Sequence, residues 1–314
     1  MEIRLCGKII KGVGGNYDVL LDTPFENNGE KVSSLFCRAR GGFRHLGETP
    51  LVGDNIELRL ENAENVMISK IFERKNSLIR PPMANLDNLF VMFATKSPEP
   101  VLLTVDKLIS IAEHKKITPV IIITKSDLDN ELAQKYAKIY EKAGFCVLTE
   151  GLDTDIDSAK ELLCSLLDGK TAAFAGASGI GKSTLLNRIF PELDLETGEI
   201  SKKIARGKHT TRCVTLHKIA TSGESGAGFI ADTPGFSMLD FERFDFFTND
   251  ELVDTYREFA DYVNCCRYTK CSHTKEEGCA IIEAVRDGKI AKERHESFVA
   301  MRDVLKNKHA WDKK

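Results

Sequence analysis

Thr124-Lys125-Ser126-Asp127 precedes Gly176-Ala177-Ser178-Gly179-Ile180-Gly181-Lys182-Ser183 in this 314-residue chain, and that order decides how the fold is read. The second stretch fits the pattern GxxxxGK[ST], which demands a strand, a tight glycine loop and a helix, because backbone N–H groups must wrap phosphates at a helix N-terminus. The apolar run Ala172-Ala173-Phe174-Ala175 supplies the strand, and a helix is expected over residues 183–190. The first stretch ends the apolar run Val120-Ile121-Ile122-Ile123. There the Asp127 carboxylate can accept from both N1–H and N2–H2 of guanine, a donor pair that adenine lacks. A third motif, Asp232-Thr233-Pro234-Gly235, follows the run Phe229-Ile230-Ala231. The parts therefore run base, phosphate, switch, where the usual order is phosphate, switch, base. This is a circular permutation. A doubly wound α/β sheet permits it, because ligand loops converge at the carboxyl ends of several strands whatever their chain order, and surface termini can be relocated at little cost.

Motif position assigns roles. Lys182 is expected on the β- and γ-phosphates, Ser183 on Mg2+, and the N–H groups from Ser178 to Thr184 in the phosphate cradle. Asp232 fits the acidic group near the metal, and Gly235 the residue whose N–H meets the γ-phosphate. Thr124 stands where the guanine-reading motif usually has Asn, a departure expected to weaken the purine N7 contact and the bridge to the neighbouring loop while leaving Asp127 in place. A switch that senses the γ-phosphate through Mg2+ needs a threonine between the phosphate loop and Asp232. Thr210 and Thr211 are the candidates, with Thr211 taken as the Mg2+ ligand. The stretch from Lys202 to Lys218 holds six basic residues and no acid, a composition that a phosphate backbone would complement. Ras-like enzymes orient the attacking water with Gln just after this switch motif. Phe236 occupies that position here and cannot do so. Besides Lys182, His209 is then the catalytic candidate, as a neutral-pH acid or base; its other reading is a surface histidine.

With 42% hydrophobic and 29% charged residues the composition is that of a soluble globular protein. No apolar run approaches the roughly 20 residues of a membrane span. Met1 to Ile10 lacks the pattern of a signal peptide, so a cytoplasmic location is expected. The net charge of −3 is unevenly spread. Residues 1–80 carry 12 basic and 11 acidic side chains, residues 81–263 carry 20 and 28, and residues 264–314 carry 12 and 8. An acidic centre and a basic tail leave nucleic-acid binding to local patches. Residues 1 to about 70 show short strand-like runs, such as Tyr17-Asp18-Val19-Leu20-Leu21, between polar turns, and read as a small β-barrel. Within them Arg38, Arg40, Phe43 and Arg44 surround a Gly pair, chemistry suited to phosphate contact and base stacking, or to a solvated loop. From residue 88 apolar strands alternate with helices expected over residues 104–116, 130–143 and 156–168, the signature of a parallel sheet covered by helices. The expected division is 1–72, 73–240 and 241–314.

Nine cysteines in a chain of this length do not suggest a disulfide scaffold. Cys6, Cys37, Cys146, Cys164 and Cys213 lie among apolar neighbours and are expected as small buried hydrophobes. The others crowd together. Cys266-x4-Cys271-x-His273-x5-Cys279 offers three thiolates and an imidazole, the soft set of a closed tetrahedral structural zinc site. Cys265 is an additional thiol, and adjacent cysteines rarely both ligate one ion.

Taken together these parts resemble the small ribosomal subunit biogenesis GTPase family called RsgA, also known as YjeQ or YloQ. The resemblance runs along nearly the whole chain. It includes Arg40-Gly41-Gly42-Phe43-Arg44 and Val52-Gly53-Asp54, then Arg80-Pro81-Pro82-Met83-Ala84-Asn85-Leu86-Asp87, the permuted motifs, Gly207-Lys208-His209-Thr210-Thr211 and the cysteine cluster. It implies an α/β, circularly permuted P-loop GTPase domain flanked by an N-terminal OB-fold β-barrel and a C-terminal helical zinc-binding domain. The family's spacing selects Cys266 over Cys265. The resemblance also implies a monomer that uses GTP with Mg2+ and one structural Zn2+. Its expected partners are the small ribosomal subunit and its rRNA, with GTPase activity stimulated by the subunit during late maturation. Two rivals are a P-loop kinase, which should lack the guanine-reading loop, and a non-enzymatic RNA-binding module with a degenerate nucleotide site.

Overall fold

The structure is a computed structural model and describes residues 3–27, 29–39, 48–62, 65–152, 155–195, 214–221, 223–232 and 247–306. In chain order the strands begin with β1 (Ile3–Val13), β2 (Asn16–Asn27), β3 (Glu30–Ala39), β4 (Asn55–Asn62) and β5 (Asn65–Ile71). Two short strands, β6 (Ser77–Leu78) and β7 (Met83–Ala84), precede β8 (Asn88–Ala94), β9 (Thr118–Thr124) and β10 (Cys146–Glu150). Then come β11 (Thr171–Ala175), β12 (Thr215–Ile219) and β13 (Gly228–Asp232). The helices are α1 (Leu102–His114), α2 (Asn130–Lys142), α3 (Ile156–Leu167), α4 (Lys182–Ile189), α5 (Ala280–Arg286) and α6 (Lys292–Lys306). These elements gather into two compact units, one drawn from residues 1–88, 162–174 and 199–236, the other from 89–161, 175–198 and 237–314.

In the first unit β1 pairs with β2 and β4, β2 with β3, β3 in parallel with β5, and β5 with β4, which closes a five-stranded ring. That is an OB-fold barrel. Period-2 alternation turns Ile9, Val19, Ile56, Leu58 and Ile68 fully inward. β1 also meets β12, through Lys11 and Thr215. β12 pairs antiparallel with β13, and β13 runs parallel to β11.

Two of the quoted family stretches prove to be fasteners of this unit. Asp54, fully buried at the end of Val52-Gly53-Asp54, takes both Arg74 Nε at 2.6 Å and Arg74 Nη2 at 2.7 Å, and accepts Leu51 N–H at 2.7 Å. This bidentate pairing holds the Arg74 guanidinium above its ordinary pKa against the opposing effect of burial. Gly53 sits at φ +93, and a Cβ there would lie 2.1 Å from the Ala84 carbonyl, so the close strand approach needs glycine. Asn85 then joins the Gly53 carbonyl to the Lys75 N–H. Asp87 accepts from Thr171 N–H at the start of β11.

In the second unit β9 lies beside β8 and β10, parallel to β10. β8 is buried throughout and β9 from its second residue on, as strands covered on both faces should be. The expected helices are present, with ends displaced by one or two residues. α1 stops at His114 because Lys116 turns the chain at φ +56, and α2 stops at Lys142 before Gly144 at φ +82. Asp129 caps α2, accepting from Leu132 N–H at 3.0 Å.

Two cysteine expectations need correction. Cys37 and Cys164 are buried, but Cys6 and Cys146 are exposed. The alternation of β1 sends Gly7 and Ile9 inward and Cys6 outward, and Cys146 opens β10 at the end of its sheet. Cys213 lies outside the described residues. Among the described residues no helix is long and apolar enough to cross a membrane.

Candidate nucleotide site and metal-ligand cluster

β11 delivers the chain into the phosphate loop, and α4 leaves it. Gly176 is buried at the turn, where a Cβ would stand 2.3 Å from the Met92 carbonyl and 2.4 Å from Ile180 Cδ1. Only glycine fits. Ala177, Ser178 and Gly179 are exposed, Ile180 is buried, and Lys182 and Ser183 are half-buried in the first turn of α4, with Thr184 exposed behind them. Gly181 is the N-cap, and the Leu185 N–H closes on its carbonyl at 2.8 Å. Donors ahead of Leu185 face the loop mouth, as the start of a helix dictates.

The guanine-reading stretch is fastened to this loop. Thr124 Oγ1 donates to the Ile180 carbonyl at 2.6 Å, with the Phe93 carbonyl at 3.3 Å. Lys125, at φ +56, sends Nζ to the Gly179 carbonyl at 2.9 Å and to the Ser97 carbonyl. The bridge between loops that Thr124 was expected to weaken is present, carried by its hydroxyl. Ser126 and Asp127 form the next short turn, and Asp127 Oδ1 accepts the Leu152 N–H at 3.2 Å.

That last bond brings in a segment that the motifs did not flag. β10 ends in register with β9, Glu150 opposite Thr124, and leads into Gly151-Leu152. A Cβ on Gly151 would lie 2.8 Å from Ser126 Oγ and 3.0 Å from Asp127 Oδ1. Arg188 on α4 donates to the Gly151 and Leu152 carbonyls at 3.2 and 3.4 Å. These loops enclose a cavity of about 400 Å3, bordered by Thr124, Lys125, Asp127, Glu150, Gly151 and Arg188 among others. Its size falls in the range of roughly 300–1,000 Å3 usual for small-molecule sites. Glu150 is 2% exposed, and neither carboxyl oxygen has a hydrogen-bond partner. Burial pushes its carboxyl up to about 7, against the opposing pull of Arg188. The signal for this segment was its place: ligand loops sit at the carboxyl ends of parallel strands.

Asp232 ends β13, whose parallel pairing with β11 carries both strand ends to the same edge of the first unit's sheet. Arg38, at the end of β3, is exposed and donates to Asn16. Arg40, Phe43, Arg44, His209, Thr210, Thr211, Gly235 and Phe236 lie outside the described residues.

In the tail, the ligand atoms of Cys266, Cys271, His273 and Cys279 all lie within 4.8 Å of one another. His273 Nδ1 stands 3.5 Å from both Cys266 Sγ and Cys279 Sγ, which are 3.8 Å apart. A tetrahedral zinc with Zn–S near 2.3 Å and Zn–N near 2.0 Å would set S–S edges of about 3.8 Å and S–N edges of about 3.5 Å. The cluster therefore fits such an ion. Without one, burial pushes the Cys271 thiol up to about 12 and holds the His273 imidazole below its ordinary value. Cys265 is exposed, its sulfur 3.6 Å from the Asp261 carbonyl, and lies outside the group. Glu276, which sequence reading missed, ties the loop together by accepting N–H groups of Ser272, Thr274 and Lys275.

A phosphate loop that follows its base-reading loop in the chain, on a parallel sheet with an OB-fold ahead of it, defines a circularly permuted P-loop GTPase. Residues 71–242 match the RsgA GTPase family and residues 6–68 the RsgA N-terminal domain. The chain belongs to the RsgA GTPase family. A protein of Alkaliphilus metalliredigens named small ribosomal subunit biogenesis GTPase RsgA is 41% identical over 303 residues, which cover 96% of this chain and 97% of its own. A protein of Bacillus subtilis with the same name is 40% identical over 308 residues, covering 96% and 98%. Among solved structures, that of YloQ, described as a circularly permuted GTPase, superposes with a TM-score of 0.75 at 32% identity, covering 98% of this chain and 96% of its own. YjeQ from Thermotoga maritima gives a TM-score of 0.75 at 29% identity, covering 98% and 100%.

Proposed function

We propose that this GTPase is an assembly factor for late maturation of the small ribosomal subunit, binding that subunit and its rRNA in the cytoplasm and hydrolysing GTP faster when bound. The names of the relatives support the partner. The nucleotide half rests on one observation above all: the base-reading loop is hydrogen-bonded into the phosphate loop, through Thr124 to Ile180 and Lys125 to Gly179. In this reading Asp127 accepts from guanine, Lys182 holds the β- and γ-phosphates, and the N–H groups of residues 178–184 cradle them. Mg2+ arriving with GTP supplies charge neutralisation at the phosphates; Ser183 and Thr211 are its protein ligands, with Asp232 nearby and Gly235 on the γ-phosphate. His209 is the acid/base candidate. Arg38, Arg40, Phe43 and Arg44 contact rRNA. Residues 1–72, 73–240 and 241–314 are its three domains, the last folded around one Zn2+ held by Cys266, Cys271, His273 and Cys279. The protein acts as a monomer.

The test is GTP hydrolysis by the purified chain with and without small ribosomal subunits, with ATP as competing substrate. Stimulation confined to GTP is expected. Equal use of ATP would return the kinase reading, and GTP turnover unmoved by the subunit would remove the subunit as activator.

A further inference from the structure

Among the described residues of the second unit whose buried polar atoms lack partners, Glu150 is the one that borders the cavity. It is 2% exposed and both carboxyl oxygens lack hydrogen-bond partners, yet it borders the cavity beside Asp127. An unsatisfied buried polar group costs about 1–3 kcal/mol, so a carboxyl left unpaired at the wall of a cavity calls for a partner that the cavity can admit. Arg188 does not meet that need: it acts on Glu150 only through its charge, while its Nη1 and Nη2 donate to the Gly151 and Leu152 carbonyls and neither Glu150 oxygen receives a hydrogen bond. The other charged groups around the cavity are Lys125, engaged with the Ser97 and Gly179 carbonyls, and Asp127, which accepts the Leu152 N–H. On β9, the residue in register with Glu150 is the uncharged Thr124.

The guanine edge presents donors at N1–H and N2–H2 and an acceptor at O6. Asp127, ionised, is acceptor-only and suits the donors. O6 calls for a donor, which a carboxyl group becomes when protonated. We propose that Glu150 is a further base-reading residue, its neutral carboxyl donating to guanine O6 while Asp127 accepts from N1–H and N2–H2. The assignment rests on the base-pocket reading given above. Burial favours the neutral form, and a carbonyl oxygen facing it favours that form further, whereas an ionised Glu150 would set lone pairs against O6.

Affinity should then fall with rising pH, approaching ten-fold per pH unit once Glu150 ionises in the free protein. The experiment measures GDP affinity of the full chain from about pH 6 to about pH 8.5, spanning the titration. Wild type, Glu150→Gln and Asp127→Asn are compared. Glu150→Gln keeps a donor and cannot ionise, so its profile should be flatter and its affinity should exceed wild type at the alkaline end. The phosphates of GDP titrate alike in both and cancel in the comparison. Identical pH profiles for wild type and Glu150→Gln would overturn the proposal. A second comparison needs no variant: 2-aminopurine riboside diphosphate lacks both the 6-oxygen and the N1–H, so it should bind more weakly at every pH, and its wild-type profile should lose the Glu150 component. Retention of the same steepness would also overturn it. Failure of the underlying pocket reading looks different, as GDP affinity unmoved by Asp127→Asn.

Discussion

Arg294 on α6 lies 2.6 Å from Asp106 on α1, guanidinium Nη1 to carboxylate Oδ1, with both side chains 1% exposed. Glu258 completes the group, taking Nε at 2.8 Å and Nη2 at 3.3 Å, and the guanidinium carbon stands 4.3 Å from the centre of the Tyr256 ring. Burial alone would favour a neutral arginine, but Asp106 and Glu258 outweigh it and hold the pKa well above its ordinary value. The network joins residues 188 positions apart, so it fixes the tail helix onto the first helix of the sheet unit.

Removing Arg294 leaves Asp106 and Glu258 buried without their partner, and burial, which already raises the Asp106 carboxyl, then works against the ionised form unopposed. Arg294→Ala should lower stability by about 3–5 kcal/mol, as expected on breaking a buried ion pair. The exposed pair Lys292–Glu296, at 3.5 Å on the same helix, provides the contrast. Lys292→Ala should change stability by no more than about 0.5 kcal/mol. Urea unfolding midpoints of the variants check both, and equal effects would mean that the Arg294 network is solvated.

The Thr124 hydroxyl carries the bridge to Ile180. Thr124→Val keeps the shape and deletes the donor, leaving the Ile180 carbonyl short of its 2.6 Å partner. A loss of about 1–2 kcal/mol, roughly ten-fold in GDP affinity, is expected. Thr124→Ser should bind within about two-fold of wild type, since it retains the donor. Titration with a fluorescent GDP analogue separates the two, and parallel losses would mean that the methyl group, not the hydroxyl, matters.

Much of this architecture is legible in the chain because its signals are local. A phosphate loop announces itself through glycines, and the β9 run Val120 to Ile123 through unbroken apolarity. The Cys-Cys-His-Cys set likewise announces itself through ligand spacing. What escaped reading is what depends on long-range pairing. Asp106 looks like one polar residue on an amphipathic helix until Arg294 arrives from the other end of the chain. Glu150 looks like the solvated end of a strand, yet the β9–β10 register places it opposite Thr124 and over the cavity. Cys6 and Cys146 show the converse: apolar neighbours in sequence do not fix which side of a strand faces inward.

The cysteine cluster makes a stoichiometric prediction. The full chain purified with metal should contain one zinc, and Cys279→Ser should hold it far more weakly and lose it on dialysis against a chelator, because only three strong ligands remain and the fourth position opens to water. Cys265→Ser should retain it, since that thiol stands outside the group. Stripping the ion with a chelator should unfold the tail cooperatively, read as loss of helical dichroism, because binding energy at a structural site is folding energy. Metal content is the deciding measurement, and zinc retained by Cys279→Ser would reassign the ligands.

The nucleotide-free protein should also record the buried Glu150 in its own stability. Its carboxyl is raised to about 7 from the ordinary 4.5, so between those values the folded state holds more proton than the unfolded state does. Stability therefore declines as pH rises from about 4.5 to about 7, by at most about 3 kcal/mol from this group, and levels off above. Glu150→Gln removes the titration but keeps the size. Relative to wild type it should gain stability progressively through that window and hold the full gain at pH 8, whatever constant offset the amide brings. Urea unfolding without nucleotide at several pH values measures the difference, and a difference that does not vary with pH would mean that water reaches the carboxyl in the free protein.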